Sequence, residues 1–402
     1  MSFKFSVVVA GTLGLVLAAA ACGSSGTGSS SSSSGGSAAA AASSVSFGSK
    51  NQQLCSSSVN STPHYKNTIA TIAGGAKSIS GAGATFPAPM YSTWAAAYDK
   101  ATGVAVAYAS IGSGGGIAQI QAGTVNFGQS DTGMTPTDLA AAKDGPILQI
   151  PLLLGAVVPA YNLPGIASGL KFTGNVLGEI YAGKIKTWND SALKSLNPGV
   201  ALPSEPIAVV HRSDGSGTTG IWTDYLTKES PTWVSALGGA SKSAAQTVAW
   251  PVGIGGKGNE GVSAAVSQTK NSLGYVTADY AIAQHITYGQ VQNKSGNFIE
   301  PCVPSLIPAV DGVTFPPSLN TSLTDGSNPD VYPITGTTYA LIYQHQTSKA
   351  TAASLINFFA WVLTQGQDMT AKLTYAPLGG ALQKLSFAQL KKITVNGQAL
   401  AK

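Results

Sequence analysis

Three times along this chain a glycine-rich segment stands between an apolar run and a helix-patterned one, and that grammar constrains the fold more than any other feature. The first is Gly81-Ala82-Gly83-Ala84-Thr85-Phe86-Pro87, before a helical pattern over Met90–Tyr98. The second is Gly112-Ser113-Gly114-Gly115-Gly116, before Ile117–Ala122. The third is Arg212-Ser213-Asp214-Gly215-Ser216-Gly217-Thr218-Thr219, before a helix that places Ile221, Trp222 and Tyr225 on one face. A helix N-terminus presents free backbone N–H groups and the positive end of the helix dipole, so it suits an anion. Glycine lets the backbone come close to a ligand. The hydroxyls of Thr85, Ser113, Ser216 and Thr218 add donors, and Arg212 adds a planar fork that can hold an oxyanion with two bonds. Any one of these loops also reads as an ordinary helix cap. Three together, one carrying an arginine, point to anion binding. None has the GxxxxGK[ST] spacing, and Gly255-Gly256-Lys257-Gly258 lacks it too, so a nucleotide phosphate loop is not indicated.

The rest of the pattern agrees with strands alternating with helices. Val104–Ala109, Ile207–His211 and Tyr339–Tyr343 read as strands, and Leu177–Tyr181, Ser191–Leu196, Thr218–Leu226 and Ala352–Leu363 as helices. Ile147–Tyr161 is a long apolar run interrupted by Pro151 and Pro159, which suggests more than one strand and a crossover. The expected class is α/β with largely parallel sheets. Residues 311–330, rich in Pro, Ser, Asn and Asp, are expected to form a surface loop.

At 402 residues the chain is long enough for one bilobed domain or two ordinary ones. Only 10% of residues are Asp, Glu, Lys or Arg, against about a quarter in ordinary domains, and the net charge of +5 is not clustered. No Lys/Arg run interleaved with aromatics is present, so nucleic acid is not an expected partner. The four histidines, His64, His211, His285 and His345, have no metal-ligand spacing, so neither a metal nor a cofactor is expected.

Near the N-terminus, Lys4 precedes a short apolar stretch ending Ala19-Ala20-Ala21-Cys22-Gly23. Small residues before a cysteine resemble the lipobox of bacterial lipoproteins, in which that cysteine is acylated. Ala19 stands where such motifs more often carry Leu. Residues 1–21 are read as a signal peptide and 22–49 as acylated Cys22 followed by a flexible Ser/Gly/Ala tether, of about 30 Å root-mean-square span. The alternative is ordinary cleavage after Ala-x-Ala and release of a soluble protein. With Cys22 lipidated, Cys55 and Cys302 remain either to pair in an oxidising compartment or to stay as buried thiols, and pairing is the expectation.

Asp131, in Asn126-Phe127-Gly128-Gln129-Ser130-Asp131, looks out of place near an anion site. It fits if the ligand carries a proton, since a carboxylate accepts a hydrogen bond from P–OH. Fully ionised sulfate would leave the carboxylate unpaired, at about 1–3 kcal/mol or more. The plainer alternative is a loop or capping carboxylate.

The segments GAGATFPAPMY (81–91), IGSGGGIAQI (111–120), FGQSD (127–131), IYAGKIKTWND (180–190), LNPG (196–199), HRSDGSGTT (211–219), WPVGIGGKGNEGV (250–262), LGYV (273–276) and YPITGTTYALI (332–342) resemble the phosphate-binding component of bacterial phosphate ABC transporters, over roughly residues 80–380. The resemblance implies a type II periplasmic-binding-protein fold, with two lobes joined by a two-strand hinge and the ligand in the cleft between them. One lobe would be 78–155 plus 335–402 and the other 156–334, preceded by an N-terminal extension over 50–77. It implies as phosphate ligands Thr85, Phe86 through its N–H, Ser113, Asp131, Arg212, Ser216, Gly217 and Thr218, with Asp214 steadying Arg212. It implies a monomer lipid-anchored at the extracytoplasmic face of the cell membrane, in a periplasm or at the cell surface, delivering inorganic phosphate to a permease of two transmembrane subunits with ATPase subunits. Three departures stand out: His211 in place of a second basic residue, the long 51–77 segment, and the 311–330 loop. The rival readings are a receptor for another oxyanion, and an extracellular phosphatase using Ser216 with His211. The second needs a base within reach of the nucleophile, which sequence adjacency does not supply.

Overall fold

The computed structural model describes residues 49–56 and 68–401. The expected signal peptide, Cys22, the tether up to residue 48 and residues 57–67 of the N-terminal extension lie outside the described residues. Among the described residues no helix is long and apolar enough to cross a membrane.

The apolar run around Pro151 and Pro159 is one strand, not two with a crossover. It extends unbroken over Ile147–Asn162, with every residue but the last buried. Pro151 is accommodated by an irregularity of pairing, whereas Pro159 keeps regular register opposite Tyr275. Opposite Pro151 the partner strand shifts register between Thr338 and Tyr339. The Pro159 carbonyl accepts from the Gly289 N–H at 3.0 Å.

Nine strands form the main sheet: β1 Ser78–Gly83, β2 Ala105–Ser110, β3 Phe127–Ser130, β4 Ile147–Asn162, β5 Ala208–Arg212, β6 Ile254–Gly256, β7 Ser272–Thr277, β8 Thr287–Tyr288 and β9 Thr335–Tyr343. Their order is β2-β1-β3-β9-β4-β7-β5-β6, with β8 also paired to β4. Pairing is parallel at the two ends, among β1, β2 and β3 and among β5, β6 and β7. It is antiparallel in the middle, where β9 runs against β3 and β4, and β4 against β7. The sheet is therefore mixed, not largely parallel as the sequence pattern suggests. Long buried strands read alike in either direction, so the pattern cannot distinguish them. Along β4 the partner changes: Ile147 to Ala156 pair with β9, and Val157 to Asn162 pair with β7.

Each parallel strand except β3 hands the chain to one of five helices at its C-terminal end. These helices are α1 Ala88–Thr102 after β1, α2 Ser113–Gln121 after β2, α3 Gly217–Glu229 after β5, α4 Gly258–Gln268 after β6 and α5 Ala278–Ala283 after β7. The glycines of the second loop are the first turn of α2, one step earlier than the pattern indicates. Each end of the sheet carries its own aromatic packing. Tyr91 stacks on Tyr108 at 4.0 Å beside Phe127 and Phe358, and Trp222 stacks on Tyr275 at 5.1 Å beside Tyr181.

Residues 311–330 have no regular structure, as expected of a loop, yet Leu319, Leu323 and Thr324 point inward and are buried. The Tyr339 hydroxyl donates to the Leu319 carbonyl, Gln389 donates to that of Pro317, and Thr324 and Ser322 donate to Asp224 on α3. This loop is fastened to β9, to the helix Gly380–Leu390 and to α3.

Cys55 and Cys302 form a disulfide with Cα atoms 5.7 Å apart. It ties the short helix Ser49–Ser56 to the body, where Asn51 donates to Gln290 and to the Phe298 carbonyl and accepts from the Glu300 N–H. Replacing both cysteines with serine should lower unfolding free energy by about 2 kcal/mol, the low end for disulfides because the tied segment is peripheral. Denaturant titration measures the loss, and limited proteolysis should then cut ahead of Ser78.

Candidate functional site

The N-terminal ends of α1, α2, α3 and α4 converge where the parallel strands stop; of the eight residues expected as ligands, Thr85, Phe86, Ser113, Ser216, Gly217 and Thr218 lie at or just before those ends, while Asp131 follows β3 and Arg212 closes β5. The geometry is built from close backbone approach. A side chain on Gly217 would sit 2.6 Å from the Asp131 Cβ and 2.7 Å from the Ser113 Oγ. Gly112, at the N-cap of α2, holds φ at 88°, which a glycine adopts freely. With no side chains in the way, the Gly114 N–H reaches the Gly215 carbonyl at 2.9 Å.

Ser113 sits at the centre. Its Oγ accepts from the Gly217 N–H at 2.9 Å and the Asp131 N–H at 3.3 Å, leaving its own proton to donate. Ser216 caps α3 by accepting from the Thr219 N–H at 3.1 Å. The Thr218 hydroxyl and the Thr85 hydroxyl both accept from the Asn259 amide, at 3.3 and 2.8 Å. The Phe86 ring is buried and its carbonyl accepts from the Tyr375 hydroxyl at 2.5 Å.

Arg212 is 3% exposed. Asp214 takes one edge of its guanidinium, Nε to Oδ1 at 2.8 Å and Nη2 to Oδ2 at 2.6 Å. Burial raises the Asp214 pKa, but the Arg212 bonds outweigh it and hold the carboxyl below its ordinary value. Arg212 Nη1, at the far end of the fork, is buried with no hydrogen-bond partner. An arginine so placed is a donor without an acceptor, which costs free energy until one arrives.

Asp131 is oriented by a buried chain of hydrogen bonds. Tyr91 donates to Gln129, Gln129 donates to the Thr338 hydroxyl, and Thr338 donates to Asp131 Oδ1, each at 2.7 Å. Burial pushes the Asp131 carboxyl up to about 7, with Thr338 and Arg212 pulling the other way. A carboxyl in that range exchanges its proton near neutral pH. A cavity of about 610 Å³ is lined by Gly114 and Ile117 of α2, Gly220 and Ile221 of α3, and Asp131.

Asn259 and Thr338 were not singled out from the sequence as site residues. Asn259 is wholly buried and opens α4 after a short strand and the pair Gly255-Gly256, the same strand–glycine–helix grammar as the three loops. That grammar would have found it; a search for the lysine of a nucleotide loop passes it by. Thr338 lies inside β9 and carries no local signal. His211 and Ser216 do not form a nucleophile–base pair: the His211 ring stacks on Trp250 at 4.8 Å and meets the Arg212 carbonyl, while Ser216 caps α3.

Native Asp131 holds its proton to higher pH than an unfolded carboxyl near 3.9. At this group the native state therefore binds more protons across that interval, and its contribution to stability is lost as pH rises from about 4 through about 7. Thermal unfolding of the stripped protein should show that decline, with a shallower slope in Asp131→Asn; an identical slope would mean Asp131 is ionised throughout.

Residues 68–365 match the family model described as a PBP superfamily domain. A curated relative from Pasteurella multocida, named phosphate-binding protein PstS, is 43% identical over 306 residues, covering 75% of this chain and 87% of that one. One of the same name from Haemophilus influenzae is 41% identical over 319 residues, covering 78% and 93%. Among solved structures, a periplasmic phosphate-binding protein bound with phosphate, PfluDING, superposes with a TM-score of 0.63 at 20% identity, covering 77% of this chain and 93% of that chain. A phosphate ABC transporter substrate-binding protein from Clostridium perfringens superposes with a TM-score of 0.55 at 17% identity, covering 75% and 99%. These likenesses show the two-lobe periplasmic-binding-protein fold.

Proposed function

We propose a function from one premise: this chain belongs to the PstS family of phosphate-binding proteins. It captures inorganic phosphate outside the cytoplasm and delivers it to a membrane ABC transporter. The observation that carries this reading is the unpartnered Nη1 of buried Arg212, set among converging helix N-termini and opposite a carboxyl that titrates near neutrality.

Phosphate oxygens would be held by the Arg212 fork end, the hydroxyls of Thr85, Ser113, Ser216 and Thr218, and the N–H groups of Phe86, Gly217 and Thr218. Asp214 neutralises Arg212 and fixes its plane. Asp131 accepts the proton of P–OH and so favours phosphate over sulfate. The lobes are 78–155 with 335–402, and 156–334; the hinge is the β4–β9 pair, where β4 exchanges partners at Ala156 and Val157. The separation of His211 from Ser216 supports a receptor without catalysis. Acylated Cys22 would hold a monomer at the outer face of the membrane, and replacing Cys22 with serine should abolish labelling by radioactive palmitate.

Calorimetric titration of the stripped full-length protein should show one phosphate bound per chain and no sulfate heat. Arg212→Ala should weaken phosphate binding by roughly 3 kcal/mol, about a hundredfold. Asp131→Asn should lower the phosphate-to-sulfate preference by about tenfold or more. Sulfate binding with no phosphate binding would leave the fold and reverse the ligand.

A further inference from the structure

A second carboxyl lies near this site and has no role in the ligand set. Asp279 is in the first turn of α5, and neither of its oxygens makes a hydrogen bond. The Thr277 hydroxyl, just ahead of α5, is buried and unbonded as well. The nearby Tyr375 hydroxyl gives its proton to the Phe86 carbonyl, so it lowers the Asp279 pKa only in part.

The groups around Asp279 offer no compensating charge. Asp131, at the end of β3, is raised by it, and so are the hydroxyls of Tyr280 on α5 and Tyr375. Glu260 on α4 accepts from Tyr280 at 2.7 Å, and Tyr280 also donates to the Thr85 carbonyl at 3.1 Å. Arg212 acts on Asp131 and Tyr280, but its charge is balanced by Asp214. An acidic residue in the first turn of a helix is ordinarily ionised and stabilising. Asp279 is only 7% exposed, and burial prevails over the weaker pull of the nearby Thr277 and Tyr375 hydroxyls and of the polar backbone at the helix start, raising it to about 7.

Placement turns this into a mechanism. Asp279 belongs to the 156–334 segment, while Tyr375 and Phe86 belong to the other lobe. The carboxyl is enclosed from both sides, so parting the lobes would return it to water, where it ionises. We propose that Asp279 is the group that must take up a proton from solvent for the two lobes to close, making phosphate capture proton-coupled. This rests on the receptor reading above. The sign follows from linkage. Above about pH 4 the open form has lost the proton and the closed form keeps it, so affinity falls by up to tenfold per pH unit until the closed-form carboxyl also ionises.

The test is calorimetric titration of the full-length, stripped protein with inorganic phosphate between about pH 5 and pH 8. Two buffers of different ionisation enthalpy allow the protons taken up per phosphate to be counted. Near pH 6 the unaltered protein should take up close to one proton more than Asp279→Asn, whose amide is uncharged at every pH. The affinity of the variant should fall less steeply with pH and exceed that of the unaltered protein at pH 8. Asp279→Ala should repeat the loss of proton uptake, which a purely packing role would not produce. Equal proton counts and parallel pH profiles, with phosphate bound by both proteins, would overturn the proposal alone. No phosphate binding by either protein at any pH would remove the receptor reading and this proposal with it.

Discussion

Burying Arg212 is the constraint around which the site is organised. A guanidinium out of water is tolerated only when its charge is balanced and its donors are used. Asp214, two residues on, balances the charge and occupies one edge. The same carboxylate accepts from the Gly258 N–H at 3.0 Å, which draws the start of α4 onto the end of β5. Asn259 follows and joins Thr85 to Thr218. One ion pair thus fixes the relative places of three chain segments and directs the unpartnered Nη1 end of the fork away from Asp214.

The sheet makes that arrangement possible. Parallel strands end on one side, and each helix that follows begins there, so the positive ends of several helix dipoles gather without long loops. The antiparallel pair β4 and β9 runs through the middle and belongs to both halves. Being buried along nearly its whole length, β4 supplies continuous apolar packing between the aromatic groups at either end. The irregular 311–330 segment adds a further link between the halves, through Tyr339 and Gln389 on one side and Asp224 on the other.

The acids in the site obey the same physics as the arginine, with the opposite result. Asp214 has a cation within bonding distance and stays ionised. Asp131 and Asp279 are buried with only hydroxyls or distant charge to help, so their neutral forms are favoured. Three carboxyls of identical chemistry are thereby sorted into one permanent charge and two that exchange protons near neutrality. Their neighbours and depth make the difference.

Much of this was legible in the sequence, because glycine-rich loops between strands and helices carry a local signature. Thr85, Ser113, Arg212 and Ser216 stand out as candidates in such segments, Asp131 as an acid oddly placed after a short strand, and the Cys55–Cys302 pairing from the cysteine count once Cys22 is set aside. Signals without a local partner were weaker: Thr338 is one threonine within a buried strand, and Asp279 is a first-turn acid like many others. Strand direction and the continuity of β4 through Pro151 and Pro159 have no local signature, since pairing partners and register shifts depend on strands distant in the sequence. The sequence alone determined the backbone grammar and the chemical types available, because turn preference, helix capping and periodicity act over a few residues. Only the tertiary structure decided which hydroxyls meet, which end of Arg212 is left without a partner and which carboxyls burial raises, because desolvation and charge pairing depend on residues far apart in the chain that packing brings within a few ångströms.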